Sequence, residues 1–350
     1  MDNKRQLTKQ DSERDYNALV DSIEKIYVDG RRQAITQINN LIVKTNWEIG
    51  KYIVEYEQAG HEKADYGSNT LKSLSKDLTR RCGKGFSRSN ISRMRQLYLA
   101  YPKCATLSHK LSWSHYVELL KIDDPLERSF YLHEAENENW GVRELKRQMT
   151  SMLFQRLALS KDKDEVMRLA EEGQIIEKPE DLVKDPYVFE FAGLPELPVY
   201  KEGDLEDALL NNLSMFLLEL GKGYAYIGRQ QHVNIGGRIY KIDLVFYNTI
   251  LKCHVLIDLK RGEVRHEDIG QMNMYLNYYR EEVDADDDNE PVGIVLGAYE
   301  DKLMVKYATQ NISNNLFVTR YQLYLPDRDQ LENEIKRFMG DEAAGDKRTV

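Results

Sequence analysis

Apolar residues recur at helical spacing through the first 160 positions. Ile35, Ile38, Leu41, Ile42, Ile49 and Ile53 fall three, four and seven apart, which predicts one core-facing stripe on a long helix ended by Gly60. Leu71, Leu74 and Leu78 form a second stripe, closed by Gly83 and Gly85. Ser87 or Ser89 is suited to cap a third helix through Ile91, Met94, Leu97 and Leu99, which stops before Pro102. Further helices are predicted over 114–122, 126–138 and 142–157, with Asp124-Pro125 and Trp140-Gly141 as breaks. Residues 12–160 therefore read as an all-helical domain.

The texture changes over 161–203, where Pro179, Pro186, Pro195 and Pro198 interrupt any helical period. This segment reads as a linker, one whose Tyr187, Val188, Phe189 and Phe191 are apolar enough to dock. Over 204–340 the period switches to that of an α/β layer structure. The expected order is a helix (204–220), strands (225–233, 238–247, 254–259), a helix (266–279), strands (291–296, 316–325) and a last helix (329–339). The run His254-Val255-Leu256-Ile257 has the continuous apolar character of a strand covered on both faces. Between helix and strand, residues 281–290 hold seven acids in ten positions and read as a solvated loop.

Composition narrows the class. Hydrophobic residues are 41% and charged residues 31% of 350, enough for a packed core. No run approaches the roughly 18 apolar residues of a membrane span, and Met1 leads into DNKRQLTKQD rather than a secretory signal, so a cytoplasmic protein off the membrane is expected. Cys82, Cys104 and Cys253 form no CxxC, which argues against a disulfide framework or cysteine zinc site and for reduced, buried thiols. The seven histidines show no HxxxH or HExxH spacing, and neither a GxGxxG nor a P-loop is present, so zinc and a nucleotide cofactor are not expected.

The net charge of -9 argues at first against a nucleic-acid partner. It divides unevenly, however: residues 1–160 carry +5 and residues 161–350 carry -14. Within 71–95 eight basic side chains face one acid, Asp77. That stretch coincides with the helix, glycine turn and helix, a fit to the helix-turn-helix, whose second helix offers its first residues to DNA. Lys76, Arg80, Arg81, Lys84, Arg88, Asn90 and Arg93 are the candidate nucleic-acid contacts, with Ser87 able to help hold a phosphate. The same charges also fit the solvated faces of two amphipathic helices. Tyr98, Tyr101, Trp113 and Tyr116 fall at apolar periodic positions and read as core rather than as base-stacking platforms.

Chemistry concentrates in 206–275. Asp243 lies within KIDLVFYN, and HVLIDLK ends the next strand with Asp258 and Lys260, two residues apart and so on one face. A carboxylate and an amine together after an apolar strand are costly unless they share a ligand or each other. Two carboxylates with a backbone carbonyl suit Mg²⁺ or Mn²⁺, and a nearby lysine can orient water or neutralise a phosphorane. Glu206 is the upstream acid best placed to join them, and Gln271 and Tyr275, one helical turn apart, can hold a phosphate or orient Lys260. Pair by pair, the same residues also fit ordinary ion pairs at a sheet edge, Asp258 with Lys260 and Asp243 with Lys241 or Arg238. His266, near this helix's start, is expected at the surface.

Asp243, Asp258-Leu259-Lys260 and Gln271-x-x-x-Tyr275, in that order on strand, strand and helix, resemble the PD-(D/E)xK nuclease superfamily and the QxxxY helix of its RecB-like members. More narrowly, DLVFYN, DLK and GQMNMYLNYY, with YGSNTLKSLSKDL, GKGFSRSNISRMRQLYLAYP and LSWSHYVELLK upstream, resemble the bacterial YhcG family. The resemblance implies an all-helical N-terminal domain, winged-helix-like or helix-turn-helix, followed by a restriction-endonuclease-like α/β domain over 204–340. It implies that Glu206, Asp243 and Asp258 hold a metal, that Lys260 assists hydrolysis and that Gln271 and Tyr275 complete the site. The expectation is a metal-dependent endonuclease acting on DNA, working as a homodimer by analogy with two-fold nucleases. An RNA-directed nuclease, or a catalytically silent binding protein on a nuclease fold, is the alternative.

Overall fold

The computed structural model describes residues 2–61, 67–158, 163–195, 200–299, 315–325 and 327. The chain divides into two compact units, Met1–Arg128 and Ser129–Val350. The division falls inside a helix, ahead of the segment 161–203, so the helices from Ser129 onward group with the sheet.

The first unit is helical. α1 (Asp2–Tyr56) leads through a π-helical turn (Glu57–His61) to α2 (Gly67–Cys82), α3 (Arg88–Ala100), α4 (Trp113–Leu119) and the start of α5 (Pro125–Asn137). The end of α1 packs on α3 through buried Val43, Ile53 and Val54 against Ile91, Met94 and Leu97. Gly50 permits the contact, because a Cβ there would lie 2.0 Å from the Met94 carbonyl oxygen. Trp47 Nε1 donates to the Tyr101 carbonyl at 2.7 Å, and Arg95 Nε reaches both Glu57 carboxylate oxygens at 2.7 and 2.8 Å. Tyr116 is buried and meets Tyr101 edge to face, as expected of core aromatics. The single core-facing stripe expected along α1 is not present: Ile35, Ile38, Leu41 and Ile42 are exposed. The buried face is instead set by Val43, Asn46, Gly50 and Val54, on the other side of the cylinder. Leu99 is likewise exposed, and Cys82, expected to be buried, is at the surface.

The second unit continues with α6 (Val142–Thr150), α7 (Leu153–Ala158) and α8 (Lys163–Glu172), then β1 (Tyr187–Val188), α9 (Glu202–Asn211) and α10 (Leu213–Leu220). β2 (Tyr224–Ile235), β3 (Arg238–Asn248), β4 (Cys253–Glu263), α11 (His266–Glu282), β5 (Val292–Tyr299) and β6 (Leu316–Gln322) complete it. Two helices expected as continuous are each broken. Met152 takes a left-handed φ of 58°, and the Ser151 carbonyl turns to accept from Arg156 Nε at 2.8 Å. Asn212 interrupts 204–220 by bonding back to the Ala208 carbonyl at 3.1 Å, the local competition that shortens helices at asparagine. The predicted helix over 329–339 lies outside the described residues.

The sheet order is β1-β6-β5-β4-β3-β2. β2, β3 and β4 run antiparallel, while β4, β5 and β6 are parallel, with α11 as the crossover between β4 and β5. One face packs Leu205, Leu209 and Phe216 of α9 and α10 onto Leu244, Phe246, Val255 and Ile257. The other packs Ile269, Met272, Tyr275 and Leu276 of α11 onto Val245, Leu256 and Val295. β4 is thus covered on both sides, as its apolar run predicts. Tyr187, Val188 and Phe189 are wholly buried, β1 pairing with β6. In the acidic segment after α11, Asp284 departs from the solvated reading: its side chain is only 8% exposed and 2.7 Å from His254 Nδ1.

Candidate active site

Sheet register brings the acids together. The β3–β4 ladder runs to Leu244 opposite Ile257, and one further step at the same register sets Asp243 across from Asp258. There the ladder ends, and the Asp243 carboxylate takes the place of a main-chain partner, accepting from the Leu259 N–H at 2.8 Å. Asp258 and Lys260 share the face of β4 on which Leu256 meets α11. Tyr275 is wholly buried beneath them and donates to the Lys241 carbonyl at 3.0 Å, while the Gln271 side-chain amide donates to the Tyr275 hydroxyl. His266 is exposed at the start of α11, as expected.

Glu206 is buried on α9 and joins the group through a residue that the motif reading passed over. Gln230 Nε2 donates to Glu206 Oε2 at 2.7 Å and to Asp243 Oδ1 at 3.1 Å, so one amide ties the α9 acid to the β3 acid. Gln230 takes a left-handed φ of 49°, beyond a register shift at Tyr226/Gly228. That irregularity aims the amide, and nothing in the string Arg229-Gln230-Gln231-His232 announces it. Arg229, outside the motif, brings its Nε to 2.9 Å from Glu206 Oε1 but out of line for a hydrogen bond.

The electrostatics are those of too many acids for the bases available. Lys260 Nζ stands 2.8 Å from Asp258 Oδ2 and 3.7 Å from Asp268 Oδ1, so the ion pair of the simpler reading is present. It does not satisfy the cluster. Burial pushes the Asp258 carboxyl up to about 7, with the Asp243 charge adding to the shift and Lys260 opposing it. Burial also raises Glu206, against the pull of Gln230 and Arg229. For Lys260, burial works against the charge, yet Asp258, Asp268 and Asp243 hold it above the ordinary lysine range.

Among the described residues three buried carboxylate oxygens, Glu206 Oε1, Asp258 Oδ2 and Asp284 Oδ2, have no hydrogen-bond partner, the first two lying in ion-pair range of Arg229 and Lys260. Oxygens of this kind, on acids that already repel one another, have the chemistry that a hard divalent cation binds. Among the described residues, the group whose potential ligand atoms all lie within 4.8 Å of one another is a separate one, His254, Asp284 and Asp288. It lies four residues back along β4, where His254 is paired with Asp284 and Tyr247 Oη donates to Asp288 at 2.7 Å.

The basic helix pair has a defined turn. Gly83 and Gly85 adopt φ of 87° and 114°, and Ser87 caps α3 by accepting from the Asn90 N–H at 3.2 Å. Lys76, Arg80, Arg81, Lys84 and Arg88 are exposed and Arg93 is half-buried. Asn90 has work inside the unit: its amide donates to the Gly85 carbonyl at 2.5 Å, and its carbonyl accepts from Trp113 Nε1 at 3.1 Å.

Among known proteins, the profile of the YhcG PDDEXK nuclease domain matches residues 180–336, and that of the DUF1016 N-terminal domain matches residues 22–156. A relative from Escherichia coli (strain K12), named "Putative nuclease YhcG", is 35% identical over 354 residues, spanning 92% of this chain and 94% of its own. Solved structures with local likeness include a repair endonuclease from Pyrococcus abyssi, at 18% identity and TM-score 0.26 over 36% of this chain and 49% of that one. An EndoMS–dsDNA2 complex matches at 20% identity and TM-score 0.26, over 35% of this chain and 46% of that one. These two matches span about half of each solved chain. With a helical N-terminal region, a mixed sheet whose acids meet where the β3–β4 ladder ends, both domain profiles in order and a relative matched over nearly its full length, the chain belongs to the YhcG family, with a PDDEXK nuclease domain at its C-terminal end.

Proposed function

We propose that the C-terminal domain hydrolyses DNA phosphodiesters with Mg²⁺ or Mn²⁺ held by Glu206, Asp243 and Asp258. The observation that carries this reading is the gathering of Asp243, Asp258 and Glu206 around Lys260, with buried oxygens of Glu206 and Asp258 that make no hydrogen bond. When bound, such an ion polarises the phosphoryl group and lowers the pKa of an attacking water. The chain's own groups do the rest. Lys260, held charged by Asp258 and Asp268, stabilises negative charge gathering on the phosphate oxygens. Gln230 holds Glu206 and Asp243 at one spacing, and the Leu259 N–H fixes the rotamer of Asp243. Tyr275, anchored on the Lys241 carbonyl, and Gln271 floor the site and orient the substrate phosphate or Lys260.

The N-terminal region supplies affinity in this proposal. Lys76, Arg80, Arg81, Lys84, Arg88 and Arg93 contact the phosphate backbone, giving binding that falls steeply with salt. Asn90 acts by holding the turn and the start of α3 in shape rather than by reading a base. The active species is a two-fold pair.

Supercoiled, branched and single-stranded DNA, with RNA in parallel, should be incubated with the protein in Mg²⁺ and Mn²⁺. DNA cleavage is expected, with Asp258→Ala and Lys260→Ala each lowering the rate by about 10²–10⁴-fold. Cleavage indifferent to both substitutions overturns the catalytic assignment, and cleavage of RNA alone overturns the substrate.

A further inference from the structure

α1 presents two faces to two different surroundings. Its last third packs inward through Val43, Asn46, Gly50 and Val54. At 3.6 residues per turn, the opposite side of the same cylinder carries Tyr16, Val20, Ile23, Tyr27, Ile38 and Leu41, all exposed. Leu19, Ile26 and Ile42 widen this stripe, and Ile26 is 73% and Leu41 67% exposed. Between residues 16 and 42 the far side is polar, with Asp21, Lys25, Arg32 and Asn39. The result is an amphipathic helix with its apolar face turned outward for about 38 Å at 1.5 Å per residue. A continuous exposed apolar face of this length marks an interaction surface.

Gly30 lies on the same stripe in mid-helix, and nothing within 4 Å would meet a Cβ there. An exposed helical glycine costs about 1 kcal/mol against alanine. No packing inside the chain accounts for it, whereas the close approach of another backbone does.

The charges identify the occupant. Among residues 16–42 the stripe is bordered on one side by only two charged groups, Glu24 and Arg31, and the whole stretch is neutral, with Asp21, Glu24 and Asp29 against Lys25, Arg31 and Arg32. A membrane-surface helix would show an excess of lysine and arginine on its polar face. A parallel pair of identical helices places Glu24 beside Glu24. An antiparallel pair centred between Tyr27 and Val28 places Glu24 of each copy beside Arg31 of the other, lays stripe on stripe and opposes the helix dipoles.

We propose that α1 is the dimer interface of this protein, pairing antiparallel with α1 of a second copy through Tyr16–Leu41. It rests on the two-fold assembly proposed above and is independent of the nuclease chemistry. The test is the mass of the full chain in solution, by light scattering and sedimentation over a concentration series, with circular dichroism to monitor helix. Wild type should weigh twice 40.9 kDa, and the pair Ile23→Asp with Ile38→Asp, both exposed positions, should be monomeric with its fold kept. Should that variant misfold, Glu24→Lys serves alone, weakening the dimer by about tenfold, and adding Arg31→Glu restores it. A monomeric wild type overturns both this interface and the two-fold assembly, including a monomer that floats with phosphatidylcholine vesicles. A dimer that survives Ile23→Asp with Ile38→Asp overturns this surface while leaving two-fold assembly standing. A charge swap that fails to restore Glu24→Lys overturns the antiparallel arrangement.

Discussion

Two of the charged clusters buried in the C-terminal unit are opposite in kind. In one, Glu219 is fully buried between Arg156 and Arg147. Its oxygens accept from Arg156 Nη1 at 2.5 Å, from Arg147 Nη1 at 3.0 Å and from the Val188 N–H at 3.0 Å, and Lys184 donates to its carbonyl. Burial alone would raise the Glu219 carboxyl, but Arg156, Lys184 and Arg147 overcome it and hold the group down at about 2. In the other cluster the three acids Glu206, Asp243 and Asp258 have two close cations, Lys260 and the half-exposed Arg229, two of their oxygens lack a hydrogen bond, and the Asp258 carboxyl is driven up to about 7. The first cluster is complete as it stands and ties α6, α7 and β1 to α10. The second is short of positive charge, and that shortage separates a binding site from a structural ion pair more sharply than burial or ion pairing does.

Substitutions should separate the clusters by what is lost. Glu219→Ala leaves Arg156 and Lys184 buried without their anion, Arg147 keeping Glu190, and should cost about 3–5 kcal/mol of folding stability by chemical denaturation. The truncation Gln230→Ala should leave stability nearly unchanged while lowering cleavage or metal affinity by about 10–100-fold, because it frees Glu206 from Asp243. A stability loss at Gln230 as large as that at Glu219 would erase the distinction. A third effect is on pH. The Asp258 carboxyl is raised above its unfolded value, so the folded state binds that proton more tightly; stability of chelated protein should rise as pH falls through 7 towards 4. Asp258→Asn should flatten that trend in thermal melts, whereas a slope unchanged by the substitution would place the titration elsewhere.

Much of this was legible in the chain. The apolar run of β4 and the two-residue spacing of Asp258 and Lys260 are local signals, and the strand period alone sets them on one face. The Ser87 cap and the glycine turn before α3 are equally local, and both are present. Gln230 was not legible, because its role depends on a strand irregularity and a left-handed backbone that polar residues do not encode. Nor could spacing say which face of α1 turns inward: apolar residues lie on both sides, and only the seat of Gly50 on Met94 selects one. Asn90, chosen for its place at the start of a basic helix, is occupied by Gly85 and Trp113, partners that only the folded unit brings near.

Thermal unfolding of chelated protein titrated with Mn²⁺ tests most directly the proposal that the acid-rich cluster holds a cation. Mn²⁺ should raise the Tm of the wild-type chain, as any ligand specific to the folded state does. That rise should vanish in Asp258→Asn and in Asp243→Asn while surviving His254→Ala, which disturbs the other acidic group. An equal Mn²⁺ shift in Asp258→Asn, Asp243→Asn and wild type would contradict the account.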